Sequence, residues 1–422
     1  MANYLFSTIT ATQARGISAS DVITFDLGTG FDSSVAYVPA SGADPDLIAV
    51  TQGGRTVSFS TALVGTSRPA AGGSILFVGD NAAGDGASGG DGNDGLFGGG
   101  GNDTLNGAGG SNLLQGNQGA DSLTGGVGND SIYGGQDGDY IVVGASAGGD
   151  RVNFGQGNKG ADTVVGGIDA DTLLGGQDND SVNGGGGGDF LNGNLGDDRV
   201  TGGDGADRIF GEGGADTLVG GAGNNTIDGG IGDDSISAGT GASSLSGGDG
   251  ADYITAGTGN VLGQSSTLDG GAGNDMLVGQ SAIDLINGGD GADTIDGGAS
   301  SDTLSGGTGA DRFLFSSNTS SLSAADKITD WATDDKMSFL VGGAFAPASA
   351  STYFELNAGS DSDAVSAANA LIAGGASNFI AVQILNDHVL VFADTNNDNG
   401  DADAVVLLAG KTLNDIAYTN IV

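Results

Sequence analysis

The sequence predicts an all-β fold: short parallel strands stacked coil upon coil into a solenoid, with small domains on either side. Three observations predict it. Glycine supplies 87 of 422 residues and recurs on a nine-residue beat. The beat runs without insertion through six units from Gly89 to Val142, ten from Gly166 to Thr255 and five from Gly270 to Leu314. Of these 21 units, 18 carry Asp at the sixth position, the exceptions being Asn112, Asn225 and Ser243. The eighth position is Leu, Ile or Val in every unit except the last, which has Phe313. A period this regular sets the fold before any local propensity does.

Residues 1–78 precede the beat and read as a small β-rich domain. Its candidate strands are Tyr4–Thr10, Val22–Asp26, Ser34–Val38, Leu47–Thr51, Thr56–Ser60 and Ser74–Val78, with Gln52-Gly53-Gly54 as a hairpin turn and a helical turn over Thr10–Arg15. Two readings of Arg15, Arg55 and Arg68 stand side by side: an anchor for the phosphate or carboxylate groups of a surface polysaccharide or lipid, and scattered surface charge on a cap.

Residues 79–314 form the repeat region, with Asp85 in a degraded first unit and irregular stretches near 143–165 and 256–269. Within a unit, positions one to six suit a turn, because Gly accepts positive φ without steric cost. Positions seven to nine alternate, as in Thr217-Leu218-Val219, and suit a short strand that points its eighth side chain inward. Two turns and two strands make a coil of 18 residues, and stacked coils give two parallel sheets. One buried aliphatic per unit stabilises by roughly 1.5–3 kcal/mol, about the ordering cost of two residues. Hydrophobic burial alone therefore does not hold such turns.

The Asp column says what does. Asp residues 18 apart, such as Asp189 and Asp207, stack on one edge about 4.7–4.9 Å apart. Bare carboxylates that close repel, and a hard cation between them reverses the sign. Calcium accepts six to eight oxygens in flexible geometry, and Gly-rich turns offer carbonyls beside each carboxylate; magnesium demands a tighter octahedron. The formal charge of −42 is concentrated here: residues 76–311 hold 35 acids and four bases. Eighteen divalent ions would nearly cancel that excess. Free of metal, the region is an expanded coil; with metal, binding and folding are one event.

The units resemble the RTX (repeats-in-toxin) family, whose nonapeptide G-G-x-G-x-D-x-U-x binds calcium. The resemblance implies a parallel β-roll in which each Asp holds calcium together with turn carbonyls and the Asp two units on. The candidate ligands are Asp94, Asp103, Asp121, Asp130, Asp139, Asp162, Asp171, Asp180, Asp189, Asp198, Asp207, Asp216, Asp234, Asp252, Asp275, Asp284, Asp293, Asp302 and Asp311. They put the calcium content at about 15–20 ions.

Residues 315–422 form a mixed β/α C-terminal domain, with Phe313, Phe315, Ile328, Trp331, Met337 and Phe339 as core, Asp363–Ala373 as a short helix, and Phe379–Leu385 with Asp387–Ala393 as a hairpin. The segment 311–340 resembles the one that follows the repeats in many RTX proteins. Asp394, Asn396 and Asp398 alternate like the start of an EF-hand loop, but Gly400 falls one place late and Val405 stands where that loop has Glu. An extra calcium turn and a simple Asx-rich loop both fit. The last 60 or so residues resemble the uncleaved secretion signal of type I exporters, which would make the secretion machinery a partner and calcium an extracellular folding switch.

Composition excludes several classes. No basic stripe suits nucleic acid, no apolar run is long enough to span a bilayer, no cleavable signal peptide is visible, and without Cys there are no disulfides. The single His388 rules out the H-E-x-x-H helix of RTX metalloproteases. Gly144-Ala145-Ser146-Ala147-Gly148 matches a lipase elbow, and residues 155–160 match G-x-G-x-x-G, both at the rate expected by chance in so Gly-rich a chain. The expectation is a non-enzymatic structural protein, secreted to the surface of a Gram-negative bacterium. It would self-assemble there as RTX-containing S-layer proteins do; a calcium-dependent adhesin for cell-surface polysaccharide is the alternative, and a small hydrolase a third.

Overall fold

The structure is a computed structural model. It describes residues 74–80, 83–144, 152–257, 265–315, 325–341 and 404–421, with shorter strand segments elsewhere between 3 and 69 and between 344 and 393. These residues fall into two compact units, Met1–Gly211 and Glu212–Val422.

In the first unit, seven strands form one parallel sheet: Gly86–Ser88, Thr104–Asn106, Ser122–Thr124, Tyr140–Val142, Thr163–Gly167, Ser181–Gly186 and Arg199–Asp204. The strands between them in sequence form a second: Ile75–Val78, Gly95–Gly100, Leu113–Gln118, Ser131–Gln136, Phe154–Lys159, Thr172–Gln177 and Phe190–Leu195. The second unit repeats the plan. One sheet runs from Thr217–Ala222 to Lys336–Val341 and the other from Thr226–Ile231 to Asp326–Ile328. The expected parallel β-roll is what the chain forms.

Register steps by one coil, so Leu105 pairs with Leu123 and Leu114 with Ile132. The eighth-position side chains lie between the sheets and are fully buried, as Leu173, Val182, Leu191, Ile236 and Leu268 illustrate. Turn geometry explains two of the glycine columns. Positions two and four take positive φ, and where Gly is absent there the residue is often Asn or Asp, as at Asn117, Asn158, Asp178 and Asn194. Those side chains tolerate the left-handed region best.

Both irregular stretches are narrower than the sequence implies. Phe154 pairs with Ser131 and Thr172, which places Asn153 in a sixth position and makes 157–165 a complete nonapeptide ending in Val165. The bonds from Asp130 N–H to Asn153 Oδ1 and from Asp139 N–H to Asp162 Oδ1 span 23 residues instead of 18, so the insertion is five residues. The second stretch has the same length of insertion, seen in the spacings Ser243 to Ser266 and Asp252 to Asp275. In the first, the eighth position is Gly155, and a Cβ there would lie 2.6 Å from Val143 Cγ1. Val143, in a first position that is Gly in every regular unit but the one beginning at Ala238, fills the core space from the neighbouring turn and is fully buried.

Before the roll, Ser33–Val38, Leu47–Gln52 and Arg55–Ser60 form an antiparallel meander, and Asn3–Leu5 pairs with Val22–Thr24. Of Thr10–Arg15 only Gln13 is described, and Arg15 lies outside the described residues. After it, Phe379–Ile384 and His388–Ala393 form the expected hairpin, continued by Ala404–Ala409. Within 363–373, the described residues 364–366 and 368–369 are helical, and Ala364 and Ala368 pack with Ile380, Leu390 and Phe392. Ala404–Ala409 also pairs with Asp326–Ile328, and Ala344–Ala346 pairs antiparallel with Phe339–Val341 as the outermost strand of its sheet among the described residues. In the first unit, Gly86–Ser88 pairs on one side only among the described residues.

Candidate metal centre

The sixth-position residues form two ladders, one along each line of turns. Along the ladders a carboxylate Oδ1 accepts the backbone N–H of the sixth residue one coil earlier; at the start, Asp94 Oδ1 accepts the N–H of Ile75 at 2.6 Å. Asp162 N–H donates to Asp180 Oδ1 at 2.7 Å, Asp180 N–H to Asp198 Oδ1 at 2.8 Å, and Asp234 N–H to Asp252 Oδ1 at 2.8 Å. The carboxylates are buried, and at Asp171 the Asn153 side-chain amide adds a second bond to Oδ1 at 2.8 Å. Such a carboxylate has a second oxygen to satisfy.

In many coils nothing satisfies it. The Oδ2 atoms of Asp103, Asp121, Asp139, Asp162, Asp180, Asp189, Asp234, Asp252, Asp275, Asp284, Asp293 and Asp302 are buried without a hydrogen-bond partner. Each faces the first-position glycine of its own unit and, in every case but Asp302, the carbonyl of the corresponding glycine one coil on. At Gly175, the point a Cβ would fill lies 2.5 Å from Asp180 Oδ2 and 2.7 Å from Gly193 O. Two acceptor oxygens therefore crowd one glycine. Their juxtaposition calls for a cation or a proton, and calcium takes such oxygens in flexible geometry. Among the described residues no three His, Cys, Asp or Glu side chains converge, so the remaining ligands of any ion would be carbonyl oxygens. A hard, oxygen-seeking ion fits that donor set.

Electrostatics agree. Burial raises the Asp121, Asp189 and Asp234 carboxyls from 3.8 to about 7 and those of Asp139 and Asp180 to about 8. The accepted N–H groups pull the other way, and carboxylates in adjacent coils add to the rise. Without a counter-ion, the fold disfavours the charged form of its own most regular residue.

Not every predicted ligand has this geometry. Asp94 and Asp171 turn Oδ2 to the second-position N–H of their own units, from Gly90 and Gly167, both at 2.8 Å. Asp130, Asp198, Asp207, Asp216 and Asp311 are buried in the same ladders. Asp394, Asn396 and Asp398 lie outside the described residues, as do Ser146 and the other inner residues of the 144–148 elbow. Gly155–Gly160 falls in a strand of the roll and the turn after it, without a helix. Two ladder members are absent from the repeat count: Asp326 and Asp335 accept the N–H groups of Asp302 at 3.0 Å and Asp311 at 3.1 Å. Six extra residues displace them from the beat, and the signal that betrays them is an alternating Asp-Lys-apolar triplet, Asp326-Lys327-Ile328 and Asp335-Lys336-Met337.

Fold and site together define a parallel β-solenoid whose turns are lined with carboxylate and carbonyl oxygens. The chain matches the RTX calcium-binding nonapeptide repeat family in ten segments between residues 84 and 313, and it belongs to that family. Among solved structures, the chain resembles the solution structure of the AlgE6R3 subunit of the Azotobacter vinelandii mannuronan C5-epimerase. Identity is 25%, the match covers 39% of this chain and 80% of that one, and the TM-score is 0.26. No curated protein matches the chain at a significant level. Among the described residues no helix is long and apolar enough to cross a membrane.

Proposed function

We propose that the chain is an extracellular structural protein that folds on calcium and then assembles into a surface layer or matrix. The observation that carries the first half is the set of buried Oδ2 atoms without partners along the turns. Asp103, Asp121, Asp139, Asp162, Asp180, Asp189, Asp234, Asp252, Asp275, Asp284, Asp293 and Asp302 would hold ions, with first-position glycine carbonyls as co-ligands. Bound calcium supplies the positive charge that makes the ionised carboxylates compatible with burial. The residues do the rest: Oδ1 ties each coil to its neighbour, Oδ2 faces the ion, and the eighth side chain closes the core. Calcium is scarce in the cytosol and plentiful outside, so a chain built this way stays unfolded until export by a type I machinery.

The second half rests on proportion. Most of the described residues belong to the roll, and a protein built mainly of roll is used for the roll. The alternative is a monomeric adhesin that grips polysaccharide through residues 1–78, which include Arg55 and Arg68. One experiment addresses these together: a calcium titration followed by circular dichroism and light scattering, with a chelator control and electron microscopy at saturation. Strand signal that rises with calcium, followed by scattering and ordered sheets, is expected. Folding without scattering, together with saturable glycan binding, would favour the adhesin; strand signal indifferent to chelator would refute both.

A further inference from the structure

The two ladders are not alike. Tracing the register through both insertions assigns every sixth-position residue to one edge or the other. Within the first unit one edge reads Asp103, Asp121, Asp139, Asp162, Asp180 and Asp198, and within the second unit Asp216, Asp234, Asp252, Asp275, Asp293 and Asp311. All are Asp. The opposite edge holds Asn112 and Asn153 in the first unit, and Asn225, Ser243 and Ser266 consecutively in the second. Both five-residue insertions open on this edge too.

The asparagines are not merely weaker ligands. Asn112 accepts the N–H of Asp94 on its Oδ1 at 2.9 Å, as an Asp would. Its amide nitrogen then occupies the place of Oδ2 and donates to Gly125 O, the first-position carbonyl one coil on, at 3.3 Å. The point a Cβ on Gly107 would fill lies 2.5 Å from both Asn112 Nδ2 and Gly125 O, the same cradle as at Gly175 with nitrogen in place of oxygen. Asn225 repeats the arrangement, with Nδ2 donating to Ala238 O at 3.3 Å. In an Asp coil two oxygens face each other and need a cation; in these coils an N–H spans the same gap. Ser243 and Ser266 keep only the supporting bond, accepting the N–H of Asn225 at 3.1 Å and of Ser243 at 3.3 Å on their hydroxyls.

We infer that Asn112 and Asn225 close their own cation cradles with a side-chain amide, so that these coils take no calcium and the two edges of the roll bind unequal numbers of ions. The inference rests on the calcium reading above and concerns only which coils are exempt. The amide replaces the ion's structural task with a neutral hydrogen bond and leaves no buried charge. Along the Asn225–Ser243–Ser266 stretch, one line of turns is held with no carboxylate at all.

The test is native mass spectrometry of the full chain at saturating calcium, which counts bound ions by mass. Asn112→Asp and Asn225→Asp should each add one calcium, and the double variant two. In the reverse direction, Asp180→Asn should lose one ion while shifting the calcium midpoint of folding less than Asp180→Ala does, because only the amide can bridge to Gly193 O. Wild-type protein that binds calcium while both Asn→Asp variants gain none would overturn the inference. So would Asp180→Asn and Asp180→Ala shifting the midpoint equally. A wild-type chain that binds no calcium would instead remove the calcium reading itself, so the two failures are distinguishable.

Discussion

Filling one cradle with a single methyl group isolates the cation's contribution without touching any ligand side chain. Gly175 is the place to do it. Its φ is not in the left-handed region, so Ala is allowed by the backbone, yet the new Cβ would meet Asp180 Oδ2 at 2.5 Å and Gly193 O at 2.7 Å. Carbon and oxygen do not approach that closely. Asp180 can swing aside only by giving up the bond from Asp162 N–H at 2.7 Å, and the carbonyl is backbone. One ion is therefore lost. A ligand present at a hundredfold its dissociation constant stabilises the fold by about 2.7 kcal/mol, and at a thousandfold by about 4.1 kcal/mol. Against this, Gly→Ala restricts the unfolded chain and returns about 0.4–1 kcal/mol. The net loss should be roughly 2 kcal/mol at the lower calcium and 3 or more at the higher.

The matched control is Gly186→Ala, where the nearest atoms to a new Cβ are Ile168 Cα at 3.7 Å and Asp204 O at 3.8 Å. That variant should be neutral or slightly stabilised. Urea unfolding of both variants at two free calcium concentrations is the assay. Should Gly175→Ala match Gly186→Ala, or its deficit fail to grow with calcium, the cradle is not a cation site.

Three further outcomes follow from the same geometry. With chelator present, the acids raised by burial to about 6–8 have folded values above the unfolded 3.8, so their contribution to the fold is complete below about pH 4 and is lost as pH rises through 6 to 8. Metal-free protein should accordingly gain strand signal in circular dichroism on acidification from pH 8 to 4; a flat trace would contradict the burial of uncompensated carboxylates. Val143→Ala should cost roughly 2 kcal/mol in a calcium-saturated melt, and the exchange Val143→Gly with Gly155→Val should recover most of it, since the core space is then filled from the usual eighth position. Trp331, the only Trp, is buried, 6.1 Å from the Phe313 ring, and donates its indole N–H to Asp415 O at 3.1 Å. Its emission should shift to the red when calcium is chelated, and an unmoved spectrum would mean that the second unit's C-terminal end folds without the ion.

The roll and its Asp ladder were legible in the sequence because each obligation falls on a fixed position: Gly where φ is positive, Asp where a turn needs an acceptor, Leu or Ile where the sheets face. Wherever the frame slipped, legibility was lost with it. Asn153 and Ser266 are ladder members hidden behind five-residue insertions, and Asp326 and Asp335 are hidden behind six. Val143 could not be read as core, because its position is glycine in every regular unit but one and its reason is a space left by Gly155 across the coil. The inequality of the two edges escaped for the same cause. Edge membership is a matter of parity, and parity is only known once every insertion has been counted.

The strands that follow the last nonapeptide bear on how copies of this chain meet. On one sheet Ala404–Ala409 takes the place a further strand would need beside Asp326–Ile328, and on the other the reversed Ala344–Ala346 sits where the next parallel strand would pair with Phe339–Val341. A second copy stacked there as one more coil would compete with both of these strands. Copies of this chain that assemble would then meet through side-chain faces or through another strand edge such as Gly86–Ser88, which pairs on one side only among the described residues.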